Sequence, residues 1–205
     1  TPLYSSAASD VYKRQVYRTY LATSTGDPNK SPAVFARDTR TAIQVWSGEH
    51  GYPGDYAYLE FHKKHFPGGL RYWRVTERTS DLGVKAPYEP ERVPERLRQQ
   101  ADHFVDVLRE LVQEQAGKQD SPVVCAPYDA ELLGHWWFEG PEWLYQVLRR
   151  VARDDVVRTI TCSEYLEVNP PGDGAPAGRL LGTRGLSLGL AQRVDGVDLA
   201  AYLRS

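Results

Sequence analysis

The densest group of chemically capable side chains lies between Val123 and Leu144, in a stretch that reads VVCAPYDAELLGHWWFEGPEWL. Within eleven residues it places three carboxylates, one imidazole and two indoles: Asp129, Glu131, His135, Trp136, Trp137 and Glu139. A surface loop has no need of so many tryptophans, and a packed core has no need of carboxylates. A polar ring bound against aromatic faces needs both, and sugars present such flat C–H faces to indole rings.

Asp129 is the residue of this stretch that is best suited to acid–base chemistry. It follows the apolar run SPVVCAP and stands among aromatic residues in the sequence. A carboxyl group that aromatic neighbours desolvate favours its protonated form, which suits a general acid. The same position could equally provide the cap of the next helix. Position alone leaves both interpretations open.

The histidines give weaker signals. Glu131 and His135 are spaced i,i+4 and could share a helix face as metal ligands, but two ligands are too few for zinc. We therefore expect both to orient their neighbours through hydrogen bonds, and we predict no metal and no cofactor. His50 adjoins the turn GYPGD and is the other histidine expected near a ligand. Three more are expected at the solvated surface: His62, His65 and His103.

Composition and missing motifs exclude several classes of function. Twenty-five basic and 27 acidic residues give a net charge of −2, so no electrostatic case exists for nucleic acid or an anionic membrane. No apolar run approaches the roughly 20 residues of a membrane span. Two cysteines make no disulfide framework, and they indicate a reduced, cytoplasmic setting. No GxSxG, glycine-rich phosphate loop, HExxH or CxxC motif occurs.

The hydrophobic pattern predicts strands that alternate with helices. Apolar runs predict strands at AVFA (33–36), LRYWRVTER (70–78), SPVVCAP (121–127) and the start of VVRTITCSEYLE (156–167), which then continues as a short helix. Helical spacing predicts helices at TRTAIQVWSGEH (39–50), YAYLEFHKKHF (56–66), 91–117 and 141–153.

Two of the predicted strands end in unusual residues. Continuous apolar strands that alternate with helices indicate a parallel α/β arrangement, in which function gathers at the carboxyl ends of strands. The first strand ends at Arg37 and Asp38, and the third ends at Tyr128 and Asp129. We expect Asp129 and Arg37 to face one cleft.

The same residues identify a family resemblance. PYDAELLGHWWFEGPEWL closely resembles the signature of the glycoside hydrolase family 57 enzymes related to 1,4-α-glucan branching enzymes. FARDTRTAIQVWSGEHGYPGD resembles a second motif of that group, and RYWRVT, DLGVKAPYEP and SEYLEVNPP fit around the two. The resemblance covers about residues 16–171. It implies an α/β fold, the C-terminal part of a (β/α)7 barrel, and a retaining, two-carboxylate reaction on α-1,4-glucans.

The resemblance also implies roles for individual residues. Asp129 matches the family's general acid/base, and Arg37 and Gly54 match positions that contact the glucan. Apart from the resemblance, the aromatic residues themselves predict that Trp136 and Trp137 bind sugar, with the alternative that one of the motif's three tryptophans, Trp143 included, belongs to the core.

Two departures from the family pattern limit these roles. A retaining glycosidase needs two carboxyls about 5 Å apart, and the family's nucleophile is a glutamate in a motif before the Arg-Asp strand. Nothing in residues 16–32 resembles that motif, so we expect the chain alone to be inactive. His50 stands where the group often has a tryptophan, and it is expected to line a substrate subsite.

Both ends of the sequence are expected to be foreign to the fold. Residues 1–15, TPLYSSAASDVYKRQ, lack periodicity and resemble translated adapter sequence, with a disordered native tail as the alternative. Residues 16–178 are then a partial catalytic barrel. Residues 179–205 are predicted to be a frameshifted tail, because reading one nucleotide later can restore Ser-Trp-Gly, Val-Trp-Leu-Asn and Trp-Thr-Trp-Pro, the family's next motif.

The sequence thus favours one activity and leaves rivals open. The first interpretation is a 1,4-α-glucan branching enzyme that forms α-1,6 branches in glycogen-like glucans and is present here as a fragment. The alternatives are an α-amylase or 4-α-glucanotransferase of the same family, or a non-catalytic α-glucan-binding remnant. The expected partner is an α-1,4-glucan in each case.

Overall fold

The computed structural model describes residues 15–21, 32–118, 121–171, 188–190 and 198–203. The chain divides into two compact units. The sheet unit comprises Thr1–Asp38, Leu108–Pro127 and Asp155–Ser205. The aromatic unit comprises Thr39–Val107 and Tyr128–Asp154.

The sheet unit contains two small sheets. Its strands are β1 (Thr19–Leu21), β2 (Ala33–Ala36), β3 (Val123–Pro127), β4 (Val157–Thr159), β5 (Leu188–Leu190) and β6 (Asp198–Leu203). One sheet has the order β1-β2-β5 and the other has the order β3-β6-β4, with every pair of neighbours antiparallel. β2 also meets β3 in the parallel sense at the bridge between Arg37 and Cys125, where the Asp38 amide donates to the Cys125 carbonyl at 2.9 Å.

This topology confirms part of the predicted arrangement and corrects the rest. The strands predicted at AVFA and SPVVCAP are present, and the bridge at Arg37 brings their carboxyl ends together. The ladders themselves are antiparallel rather than parallel, because β6 lies between β3 and β4. Both β5 and β6 fall within the segment predicted to be frameshifted, which stays a prediction that sequencing of the source gene tests. The predicted leader lies outside the described residues apart from Gln15.

Within the described part of the chain, four helices connect these elements: α1 (Thr39–Trp46), α2 (Val93–Gln115), α3 (Gly140–Val151) and α4 (Cys162–Val168). Three of the four predicted helices are thereby confirmed to within a few residues, as is the short helix that follows the last predicted strand. The apolar stripe of α2 is buried along its whole length, from Val93 to Leu111. The buried face of α3 is narrower, because Leu148 is exposed while Trp143, Val147 and Val151 are buried.

The core of the sheet unit is small and mixed. Phe35 on β2, Val123 on β3 and Tyr165 on α4 are each 2% exposed and form its centre. The rings of Phe35 and Tyr165 meet edge to face with their centroids 5.8 Å apart. The Tyr165 hydroxyl donates to the Ser121 carbonyl at 2.6 Å, so its polar end is satisfied although its ring is buried.

The core of the aromatic unit is built from large rings. Trp143 on α3 packs with its ring centroid 5.0 Å from Phe104, 5.2 Å from Trp137 and 5.7 Å from Tyr52. Tyr58 extends the cluster, with its centroid 5.7 Å from that of Trp137. Rings of this size bury large apolar areas with few residues, so they can hold together a unit whose chain is largely irregular.

The predicted helix at 56–66 is wrong. The Glu60 amide donates to the Trp73 carbonyl at 2.8 Å, and the Val75 amide donates to the Tyr58 carbonyl at 2.8 Å. Backbone groups that a helix would pair internally are therefore paired with distant residues. The region predicted as a strand at 70–78 is the partner, and it forms isolated bridges at Leu70, Trp73 and Arg74 instead of a continuous strand.

No helix in the described parts of the chain combines the length and the apolar character that crossing a membrane requires.

Candidate functional site

Asp129 follows the end of β3 by two residues, as predicted. It is the residue that precedes the 3-10 turn Ala130–Leu132, but its side chain makes no capping hydrogen bond. Its backbone carbonyl accepts from the Leu132 amide at 3.1 Å. The capping interpretation is therefore not realised by the carboxylate, which leaves the carboxylate available for chemistry.

The surroundings of Asp129 differ from the expectation. The residue is exposed rather than enclosed by aromatic rings. Among the residues that the structure describes, its carboxylate has no hydrogen bond or ion pair. The preceding residue, Tyr128, is buried and donates from its hydroxyl to the Thr41 carbonyl at 3.1 Å. This bond fixes the chain to α1 immediately before Asp129.

Arg37 lies at the end of β2 in the sheet unit. One of its guanidinium nitrogens donates to the Pro127 carbonyl, the last of β3, at 3.1 Å. Its neighbour Asp38 is 2% exposed and accepts a 2.8 Å hydrogen bond from the Tyr17 hydroxyl. The Arg-Asp pair therefore joins the ends of two strands, which is a structural reason for this motif beside the predicted glucan contact.

Gly54 belongs to the turn Tyr52–Gly54, where the chain approaches itself closely. A Cβ atom built on Gly54 would lie 2.3 Å from the Gly48 carbonyl oxygen and 2.8 Å from Nε of Arg78. That guanidinium donates to the carbonyls of Gly54 at 2.7 Å and Gly51 at 2.8 Å, and it also bonds the Glu49 carbonyl. Glycine is thus required here because the chain's own atoms fill the space.

The two adjacent tryptophans have opposite environments. Trp137 is 1% exposed and lies in the core of the aromatic unit, where no face of its ring is open to a ligand. Trp136 is 47% exposed, and its ring packs against Phe61 with 4.4 Å between the centroids. Of the two rings predicted to bind sugar, Trp136 is the one that solvent reaches.

Glu131 and His135 do not share a helix face, because the turn that contains Glu131 ends at Leu132. Both side chains are exposed. The Glu131 carbonyl accepts from the Trp136 amide at 3.2 Å, and the His135 ring meets those of Trp136 and Phe61 edge-on. The described residues contain no group of three side chains that could hold a metal ion.

His50 is exposed, and its ring lies 3.8 Å from the equally exposed Glu49 carboxylate. Its backbone amide donates to the Ser47 hydroxyl at 2.9 Å, which ties it to the residue that follows α1. The predicted substrate contact of His50 stays a prediction.

Glu139 also belongs to the tryptophan-rich motif, but the sequence predicted no individual role for it. It is 4% exposed, and its Oε1 accepts from the Leu59 amide at 2.9 Å and from the Tyr88 hydroxyl at 2.8 Å. Burial raises the pKa of the Glu139 carboxyl above its ordinary value of 4.5, although these two hydrogen bonds and the Arg71 charge act in the opposite direction. It also lines a cavity of about 300 Å³ with Tyr88, Leu97 and Phe138.

A second buried charge holds the loop beside Glu139. Glu60 and Lys85 form an ion pair at 3.3 Å with both side chains almost fully buried. Burial pushes the pKa of the Glu60 carboxyl up, but the hydrogen bonds from His62 and Lys85 outweigh it, so the pKa lies below its ordinary value. Lys85 also donates to the carbonyls of Val75 and Glu77, both at 2.7 Å.

Asp55 is a further buried charged residue that holds this loop in place, at its start. It is 5% exposed and accepts from the Ala57 amide at 3.0 Å, from Arg96 at 2.5 Å and from Gln100 at 2.8 Å. Asp55 thus anchors an irregular loop on α2.

The predicted site residues divide between the units. Arg37 belongs to the sheet unit, and the others belong to the aromatic unit: Asp129, Gly54, His50, Trp136, Trp137, Glu131 and His135. Their arrangement around a single cleft stays a prediction.

Comparisons with known proteins support the resemblance. The chain is 46% identical over 136 residues to the 1,4-alpha-glucan branching enzyme TK1436 of Thermococcus kodakarensis, which covers 66% of this chain and 20% of that enzyme. It is 42% identical over 141 residues to the probable 1,4-alpha-glucan branching enzyme Rv3031 of Mycobacterium tuberculosis, which covers 68% of this chain and 27% of that protein. No protein-family model matches the chain.

Solved structures of similar proteins also align with this chain. The GH57-type branching enzyme of Pyrococcus horikoshii aligns with a TM-score of 0.71 and 42% identity, covering 80% of this chain and 30% of that one. The alpha-amylase AmyC of Thermotoga maritima aligns with a TM-score of 0.68 and 28% identity, covering 80% of this chain and 34% of that one.

Over the matched stretch the chain is a homologue of the family 57 branching enzymes, with a mixed α/β fold that aligns to part of their structures. It spans between 20% and 27% of the length of these two curated relatives.

Proposed function

We propose that this homologue of the family 57 branching enzymes is the part of an α-1,4-glucan branching enzyme that carries its general acid/base, Asp129. The single observation that carries the proposal is the placement of Asp129. An exposed carboxylate follows a buried strand by two residues, makes no capping bond, and begins the tryptophan-rich motif. Its neighbour Tyr128 is fixed by burial and by a hydrogen bond to α1, so the backbone that leads into Asp129 has a defined position.

In the proposed reaction Asp129 acts twice. It first donates its proton to the glycosidic oxygen of the donor glucan as the bond breaks, while the nucleophilic glutamate of the complete enzyme takes the glucosyl chain. It then accepts the proton of an acceptor sugar's 6-hydroxyl, which attacks the glucosyl-enzyme and forms the α-1,6 branch. The configuration at the anomeric carbon is retained because two displacements occur.

Other residues are proposed to bind the glucan. Trp136 offers a half-exposed indole to the apolar face of a sugar ring. Arg37, at the joined ends of β2 and β3, and the turn that contains Gly54 and follows His50 are proposed to line further subsites.

The barrel fold and the cellular compartment are also proposals. The matched stretch is proposed to form the C-terminal part of a (β/α)7 barrel, of which the parallel contact between β2 and β3 is one element. The two-cysteine composition favours a cytoplasmic setting, and the similarity to branching enzymes supports a role in the synthesis of glycogen-like polysaccharide.

A second candidate is an α-amylase of the same family. The similarity to AmyC, which is described as an alpha-amylase, favours it. The identity of 28% to that enzyme is lower than the 42% to the branching enzyme of similar coverage, so branching is the preferred proposal.

Two experiments on the chain itself, one on binding and one on activity, test the proposal. The chain is expected to bind maltoheptaose in isothermal titration calorimetry, because the proposed binding residues are present. It is expected to neither shorten nor branch amylose, because general acid catalysis contributes about 10²–10⁴-fold but cannot replace the covalent step.

Two results would contradict this account. Turnover of amylose that Asp129→Asn abolishes would show that the chain holds a nucleophile of its own. Absence of any glucan binding would remove the role proposed for the aromatic and arginine side chains.

A further inference from the structure

The ring of Phe61 and the rings of the adjacent residues His135 and Trp136 form one cluster at the surface of the aromatic unit. Phe61 and Trp136 pack with 4.4 Å between centroids and 32° between planes. The His135 ring stands edge-on to both, with centroids 5.6 Å from Phe61 and 5.5 Å from Trp136. None of the core rings described above belongs to this cluster.

The exposure of Trp136 indicates which surface is open. An indole that a tilted ring covers on one face retains its other face, and Trp136 is 47% exposed. Phe61 itself is further covered, because Lys64 Nζ lies 5.4 Å and Arg71 Cζ lies 5.5 Å from its centroid. The cations hold Phe61, and Phe61 in turn backs Trp136.

The loop that carries Trp136 is held in place by its backbone. The Trp136 amide donates to the Glu131 carbonyl at 3.2 Å, the Trp137 amide to the Leu132 carbonyl at 2.9 Å, and the Gly134 amide to the Trp137 carbonyl at 2.8 Å. Gly134 has a φ of 98°, a conformation that glycine adopts without strain. The buried ring of Trp137 anchors the end of this loop, so the backbone that carries Trp136 is held in place.

We infer that the uncovered face of Trp136 is a glucosyl-binding platform, and that Phe61 is the positioning residue that holds this indole in place. An α-glucan ring has an apolar C–H face that fits a flat indole, and its hydroxyls can reach the His135 ring at the side. A rigid platform binds more tightly than a mobile ring, because less conformational freedom is lost on binding. The inference rests on the proposed glucan function and adds Phe61 and an aromatic role for His135 to it.

Fluorine NMR of the full chain tests the platform at a single ring. Labelling with 5-fluorotryptophan gives one signal for each of the five tryptophans. The signal that Trp136→Phe removes is that of Trp136. On titration with maltoheptaose this signal is expected to shift, whereas the signals of the buried Trp137 and Trp143 are expected to stay in place.

The positioning role is tested with variants that differ only in the ring. Phe61→Leu keeps an apolar side chain but removes the flat ring, and it is expected to weaken maltoheptaose binding roughly fivefold to tenfold. Phe61→Tyr keeps the ring and is expected to bind within about twofold of the unmodified chain. Phe66→Leu is the matched control, since Phe66 is 91% exposed and is expected to change nothing.

Each outcome decides between the alternatives. If Phe61→Leu disturbs the Trp137 or Trp143 signals, Phe61→Met replaces it as the ring-free variant. Unchanged binding in the ring-free variant would overturn the positioning role of Phe61. A glucan-induced shift at another tryptophan instead of Trp136 would overturn the platform. Both results would leave glucan binding intact. Absence of any shift together with absence of calorimetric binding would overturn both the platform and the proposed function.

Discussion

The two units of this chain differ in how they pair their backbone polar groups and in how they build their apolar cores. In the sheet unit, β2, β3 and β4 satisfy their backbone groups in ladders, and a small core of Phe35, Val123 and Tyr165 suffices. In the aromatic unit, long segments have no ladder or helix of their own. Buried side chains replace the missing backbone partners there, and large rings supply the apolar area.

These side-chain anchors fall on different loops. Glu139 accepts from the Leu59 amide, Lys85 donates to two carbonyls, and Arg78 donates to three. A buried backbone group without a partner costs about as much as a lost hydrogen bond, so each anchor removes a penalty. The comparison teaches that irregular chain can be as well defined as a sheet, which lets the aromatic unit present Asp129 and Trp136 on loops.

The largest expected effect separates the core of the aromatic unit from its surface. Trp143→Ala empties a fully buried site and is expected to lower the free energy of unfolding by about 3–5 kcal/mol. Trp136→Ala removes a half-exposed ring and is expected to cost less than about 1 kcal/mol. Urea denaturation measures both, and equal losses would contradict the division into core and platform.

Removal of the Glu139 anchor is expected to have the next largest effect. Glu139→Ala leaves the Leu59 amide and the Tyr88 hydroxyl unpaired, at a cost of about 1–3 kcal/mol for each donor. Glu139→Gln keeps an acceptor oxygen without the charge and is expected to be near the unmodified chain at neutral pH. Comparable losses in both variants would show that the charge, rather than the hydrogen bonds, matters.

The stabilities of the unmodified chain and of Glu139→Gln are also expected to depend differently on pH. Because burial raises the pKa of the Glu139 carboxyl, the folded state binds this proton more tightly than the unfolded chain does. Its contribution to stability is fully present below the ordinary pKa of 4.5 and is lost as the pH rises through the raised value. The stability of the unmodified chain relative to Glu139→Gln is therefore expected to fall as the pH rises from 4.5. A rising difference would contradict the direction of the shift.

The close approach at Gly54 predicts a smaller effect with a matched control. Gly54→Ala would place a methyl group against the Gly48 carbonyl and Arg78, and the resulting shift is expected to cost about 1–3 kcal/mol. Gly48→Ala meets nothing within 4 Å and is expected to be tolerated. Thermal unfolding of the two variants compares them, and equal melting temperatures would mean that the loop adjusts freely.

These contrasts explain how much could be predicted from the sequence. β2 and β3 were predictable because each is a short continuous apolar run, and α1, α2 and α3 were predictable because their apolar residues repeat at helical spacing. The helix predicted at 56–66 failed because its backbone partners, Trp73, Val75 and Glu139, are distant in the sequence. Local periodicity does not contain that information.

In the candidate site, too, some features were predictable from the sequence and others were not. The position of Asp129 after a buried strand was predictable from the apolar run before it. The different exposures of Trp136 and Trp137 were not, since adjacent identical residues differ only through the path of the loop. Phe61 and Arg78 were missed because their partners come from other segments.

The smallest expected effect lies in the sheet unit, at the start of α4. Thr161 and Glu164 form a reciprocal capping box, with the Thr161 hydroxyl accepting from the Glu164 amide at 3.2 Å. Thr161→Ala is expected to cost about 1 kcal/mol, and Thr161→Ser very little. Urea denaturation measures both, and a loss like that of Trp143→Ala would show that this helix end carries more than a cap.

The central claim, that Asp129 is the general acid/base of a branching enzyme, is tested most directly in a chimera. Residues 32–171 of this chain would replace the matching segment of the 1,4-alpha-glucan branching enzyme TK1436, which is 46% identical over the matched stretch. The measurement is the number of α-1,6 linkages formed from amylose, counted by enzymatic debranching. The account predicts new branches with the chimera and none with its Asp129→Asn variant. Branching that survives Asp129→Asn, or amylose shortened without new branches, would contradict it.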